Sequence, residues 1–137
     1  MSSERKVVKI VSIVMFVVGI IYAVVTALTT AAAASMGADV SAATFVVIAL
    51  AAAITVLSIG MAISGIKGAN TPSKIGGFIV WAGICTAIAA IYLVLYIYEV
   101  ACGGASDMGS VLTHLAVVLV PAIGLVFGMR VRKAAEK

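Results

Sequence analysis

The chain of 137 residues is 64% hydrophobic and only 10% charged, with a mean hydropathy of +1.30, whereas a soluble domain is about a quarter Asp, Glu, Lys and Arg. Nine cations and five anions leave a net charge of +4. They fall outside four uncharged windows, which excludes a soluble enzyme, a disordered tail and a nucleic-acid-binding domain.

The windows run from Ile10 to Ala38, Val40 to Ile66, Ile75 to Tyr98 and Met108 to Met129, with lengths of 29, 27, 24 and 22 residues. A membrane span needs roughly 20 apolar residues in a row. Barrel strands would be about ten residues long and alternate in polarity, and these windows do neither. The expected fold is therefore an all-α membrane protein, a four-transmembrane-helix bundle in a single membrane domain over residues 1–137. Its approximate spans are 8–34, 41–66, 75–101 and 109–129.

The first span follows Arg5, Lys6 and Lys9. Its basic start and the run Ala31–Ala34 resemble a secretory signal, but its apolar run exceeds a signal core of about 7 to 15 residues, so it is expected to remain as a helix. Ser12, Gly19, Thr26 and Ala33 stand seven apart along it. Gly37-Ala38-Asp39 then joins it to the second span, with Ser41 as an expected N-cap.

The second span carries Thr44, Ala51, Ser58 and Gly65 at the same interval, thickened by Thr55 and Ala62. Lys67 to Lys74 forms the next link, where Thr71 offers a capping hydroxyl ahead of Pro72. The third span has Gly76, Gly83 and Ala90, with Ala87 beside them. Such stripes let helix backbones approach closely where lipid gives no hydrophobic drive to association. They predict a bundle in which each helix packs through a smooth face.

A second face of the third span holds Phe78, Trp81, Cys85, Ile88, Tyr92, Tyr96 and Glu99 at helical spacing. The outer tyrosines fit an interfacial aromatic belt; Trp81 and Cys85 sit deeper, and the stripe from Glu99 inward could line a pathway or a pocket. Gly103-Gly104 reads as a helix stop, and Ser106, Asp107 or Ser110 can cap the fourth span. On that span Ser110, His114, Val117, Pro121, Gly124 and Gly128 share one face. Pro121 lacks an amide hydrogen and should free the carbonyl of Val117, and Gly124-x-x-x-Gly128 is a close-approach motif. This face is either a packing seam or the wall of a cavity.

Glu99 and His114 are the titratable residues nearest the membrane, on helices that a short loop makes neighbours. A carboxylate beside the imidazole would favour its charged form. Cys85 and Cys102 lie 17 residues apart on one helix, about 25 Å, too far to form a disulfide. Cys102 could pair only with its copy in a dimer. One histidine, no paired thiols, no carboxylate cluster and no phosphate loop leave nothing for an enzyme, a metal or a cofactor.

All nine cations fall on one side of the expected bundle, and Asp39, Glu99 and Asp107 on the other. The excess of Lys and Arg on cytoplasmic loops then predicts both termini in the cytoplasm and a place in the cytoplasmic membrane. Lys67, Lys74, Arg130 and Arg132 are candidate contacts to anionic lipid. Similar ends at 59–67 and 123–130, and Lys-Ile openings at Lys9 and Lys74, hint at a duplicated helical hairpin. Two functions are compatible with this inventory. The first is a non-enzymatic bundle acting by helix packing, as a homo-oligomer or as an accessory subunit of a membrane-protein partner. The second is a homo-oligomeric channel or transporter for a small or apolar solute, lined by the His114, Pro121, Gly124 face and the Tyr92, Tyr96, Glu99 stripe.

Overall fold

The computed structural model describes residues 1–35, 37, 42–104 and 108–136, and it is helical almost throughout. α1 spans Ser3–Ser35, α2 Ala42–Asn70, α3 Ile75–Ala101 and α4 Met108–Ala135, with a short 3₁₀ turn at Pro72–Lys74. All four are long and apolar enough to cross a membrane. Even α3, the shortest at 27 residues, reaches about 40 Å, more than the roughly 30 Å of bilayer hydrocarbon. The helices extend past the apolar windows because backbone hydrogen bonding does not stop where hydropathy falls. α1 starts at Ser3, and α4 carries Arg130, Arg132 and Lys133 inside its last turns.

Each helix packs against its neighbours in sequence, and α1 closes the ring against α4. Contacts ascend one helix as they descend the next. Gly65 of α2 meets Ser12 of α1, while Ile59 meets Gly19; along α3, Phe78 faces Gly65 and Trp81 faces Gly60. The arrangement is antiparallel, so the described termini and the 67–74 segment share one end of the bundle. That end holds the cations.

The helix ends show where local chemistry decides. Gly103 adopts φ +96°, Gly104 N–H donates to Glu99 O at 3.0 Å and Gly103 N–H to Val100 O at 3.1 Å. This is a Schellman stop, which the left-handed glycine makes possible. The expected Thr71 cap does not form, because its hydroxyl makes no capping hydrogen bond. The link is held by backbone instead, Thr71 N–H to Lys67 O and Lys74 N–H to Thr71 O, both at 2.9 Å. Ser110 lies inside α4 rather than at its cap. Ser41, Ser106 and Asp107 lie outside the described residues, as does most of the Gly37–Asp39 link.

The centre of the basic half is Phe78, wholly buried with Val8, Met15, Met61, Ile75 and Cys85. Its ring lies where all four helices meet, and small residues make the room. A methyl group at Gly65 would collide with Ser12 Oγ and stand 2.7 Å from Phe78 Cδ2. One at Gly124 would lie 2.8 Å from Met61 Cε, 2.9 Å from Val11 Cγ1 and 3.0 Å from Phe78 Cζ, and Gly128 is equally close to the ring. Ser12 itself disposes of its hydroxyl along α1, donating to Val8 O at 2.7 Å. Thr55 and Thr86 do the same on their own helices, as polar groups in a dry interior must.

The expected α3 stripe behaves differently. A methyl at Gly76, Gly77 or Gly83 would meet nothing within 4 Å, and Ala87 is exposed. The prediction of an inward packing face on this helix is therefore corrected. The aromatic face of α3 turns inward because it buries more surface, and its glycines are left outside. Gly65→Ala should destabilise the bundle by roughly 1–3 kcal/mol through overpacking, whereas Gly83→Ala should leave stability within about 0.5 kcal/mol of wild type. Reversible unfolding of both variants in mixed detergent micelles measures the difference.

Candidate functional site

At the end opposite the cations, α3 and α4 bring Tyr92, Tyr96 and His114 together. The two tyrosines are one helical turn apart, so both rings reach the same neighbour. His114 stacks on Tyr96 with ring centroids 4.3 Å apart and planes 9° from parallel, and on Tyr92 at 4.9 Å and 37°. Its Nδ1 lies 2.7 Å from Ser110 O. A carbonyl only accepts, so Nδ1 carries a proton and donates it. The imidazole is thus fixed in orientation by its own helix and by two aromatic rings.

Glu99 lies one turn beyond Tyr96 and is exposed. The Glu99–His114 pair expected from the sequence does not form, since the ion pair among the described residues is Arg132 with Glu136. His114 spends its contacts on the tyrosine rings instead. Glu99 joins Tyr92 and Tyr96 with Val46, Val47, Leu50 and Leu95 around a cleft of about 100 Å³ between α2 and α3. The Tyr96 hydroxyl is buried without a hydrogen-bond partner. In the same half, Tyr22 of α1 packs with Ala51, Ile54, Ala89 and Val117, and Tyr92 lies against this cluster. Tyr22 is a residue the sequence does not single out, although it sits three positions beyond Gly19, on the small-residue stripe.

The deeper candidates are packed. Cys85 is wholly buried, with the Ser58 side chain beside its thiol. Among the described residues Ser58 Oγ makes no hydrogen bond, and the sulfur beside it is a weak partner. Trp81 is half-buried and covers Gly60, where a methyl would stand 2.9 Å from its Cε3. Pro121 is fully buried, and α4 continues through it to Ala135. Gly124 and Gly128 receive the Phe78 ring. Cys85 and Cys102 are both free thiols, the second exposed.

Among the cations, the sequence treats all nine alike, and the structure does not. Arg5 donates from Nε to Ala69 O at 2.7 Å and from Nη2 to Asn70 O at 3.0 Å. It caps the last carbonyls of α2 from a neighbouring helix, where a cation also meets the negative end of the helix dipole. Of the candidate lipid contacts, Lys67 and Lys74 are exposed. Arg130 lies 5.3 Å from the Phe127 ring centroid, and Arg132 Nε bonds Glu136 at 2.8 Å. A cleft of about 260 Å³ beside Arg5 and Arg130 opens at this end. Among the described residues no three His, Cys, Asp or Glu side chains gather as a metal site would require.

Comparison with protein-family models, with curated proteins and with solved structures finds no match to this chain.

Arg5→Lys keeps the charge but loses the two-pronged guanidinium. It should weaken the cap by about 1 kcal/mol and speed hydrogen exchange of the amides at 70–74 while leaving those of α4 unchanged. His114→Ala should loosen only the opposite end, by about 0.5–1.5 kcal/mol, and speed exchange near residues 110–117.

Proposed function

We propose that this protein is a non-enzymatic, multi-pass protein of the cytoplasmic membrane that works by self-association, with both termini in the cytoplasm. The observation that carries the reading is the outer face of α3. Gly76, Gly77 and Gly83 border open space, and Val80, Ile84, Ile91 and Val94 around them are exposed. Glycine inside a helix gives up about 1 kcal/mol of helix propensity relative to alanine. Inside the bundle that sacrifice admits Phe78 and Trp81; on the outer face of α3 nothing within one chain uses it. A second copy does. A smooth strip of this kind lets another helix approach to backbone contact, the means by which membrane helices bind one another.

The orientation rests on the cations, which gather with the described termini at one end and match the rule for cytoplasmic loops. Lys67, Lys74 and Arg130 are in this reading available to anionic headgroups, and Arg132 only in competition with Glu136. Descent of the hairpins 1–66 and 72–130 from one duplicated unit is part of the same proposal. It is supported by the similar stretches at 59–67 and 123–130 and by the Lys-Ile pairs at Lys9 and Lys74. A pathway along the Pro121 and Gly124 face draws less support, because the Phe78 ring occupies the space in front of those glycines.

The mass of the protein in nanodiscs or mild detergent tests the proposal. The wild type should run as a dimer or larger assembly, and Gly83→Ile as a folded monomer with unchanged helix content. A wild-type protein that stays monomeric at every concentration, or a Gly83→Ile protein that assembles normally, overturns it.

A further inference from the structure

The cleft between α2 and α3 has a chemistry that the self-association reading does not use. Tyr92 and Tyr96 contribute aromatic rings, Val46, Val47, Leu50 and Leu95 contribute aliphatic wall, and Glu99 contributes a carboxylate. Tyr96 has His114 stacked on one side, and the cleft lies on the side where α2 closes over α3. The ring is therefore braced, and it reaches the cleft without having to be ordered by a ligand.

We infer that this cleft binds a small alkylated ammonium ion, either as a free amine or as the headgroup of a lipid. The carboxylate excludes anions and attracts cations. Tyrosine in the lining brings π-electron density, which favours a cation that has shed its water. An inorganic ion gains little from such a site, because it keeps a tight hydration shell that leucine and valine cannot replace. Alkyl groups on nitrogen are weakly hydrated and match the aliphatic wall. A volume of about 100 Å³ equals about three water molecules of liquid, which suits a tetramethylammonium-sized group and not a sugar or a nucleotide. Charge at this end agrees: among the described residues Glu99 is its charged group, and no Lys or Arg falls there. The local potential is negative, which concentrates cations at the mouth.

Titration calorimetry with tetramethylammonium on the full chain in a maltoside detergent tests the site. Saturable binding is expected, displaced by choline and not by an equal concentration of sodium. Glu99→Gln and Tyr92→Leu should each weaken it by about tenfold, while Tyr96→Phe, which keeps the ring, should bind as wild type does. Because Glu99 is exposed, its replacement leaves the packing intact and keeps the test meaningful even if Tyr92→Leu fails to fold. Repeating the titration in nanodiscs separates the sources. Loss of tetramethylammonium binding in phosphocholine lipid but not in phosphoglycerol lipid identifies the headgroup, and equal binding in both identifies a free amine. Absence of saturable binding, or equal affinity in Glu99→Gln, overturns the inference. Gly83→Ile should bind normally, so this site and the self-association face succeed or fail separately.

Discussion

A helix already dissolved in lipid gains almost nothing by exchanging lipid for another apolar helix. What holds such helices together is the closeness of contact, and in this protein closeness is concentrated at one ring. Phe78 reaches the axis of the bundle because Gly65, Gly124 and Gly128 lack side chains and Ser12 folds its hydroxyl back onto its own helix. The antiparallel ring of helices and the burial of Met15, Met61 and Cys85 follow from that single insertion. Filling any of those glycines pushes against the rigid ring of Phe78, which does not yield cheaply.

The same economy governs polarity. With no water inside, each hydroxyl must find a carbonyl, and Ser12, Thr55 and Thr86 find the one a turn below. Three buried hydroxyls, on Thr26, Ser58 and Tyr96, do not. Two of them sit beside groups of limited bonding capacity, a thiol and a stacked imidazole. Among the described residues the end that carries Tyr96 holds two of these three hydroxyls, and His114 and Glu99 both lie near it. Chemistry and packing thus divide the bundle lengthwise: a half built around the Phe78 ring toward the cations, and an aromatic half with a small cleft toward Glu99.

Three features that look alike in sequence turn out to have different employment. The glycines of α2 and α4 admit rings, those of α3 face outward, and Gly103 turns the chain. The cations likewise separate into Arg5, which closes the end of α2, Arg132, which pairs with Glu136, and Lys67 and Lys74, which are exposed. A heptad of small residues or a cluster of basic ones announces that contact will occur. It does not say with what.

The number of helices, their approximate limits, the glycine stop after α3, the gathering of cations at one end and the inward face of α1 and α2 were all legible in the sequence. They depend on hydropathy and on local backbone rules, which act over one or two turns. The meeting of Tyr92, Tyr96 and His114 was half legible, since the spacing put each on a consistent face, but the expected partner of His114 was Glu99. Geometry gave that place to the rings. The direction of the α3 glycines was not legible at all, and the reason is physical: lipid and a neighbouring helix are equally apolar, so hydropathy cannot tell an inner face from an outer one. Only the packing of Phe78 and Trp81 decided which side of α3 is core.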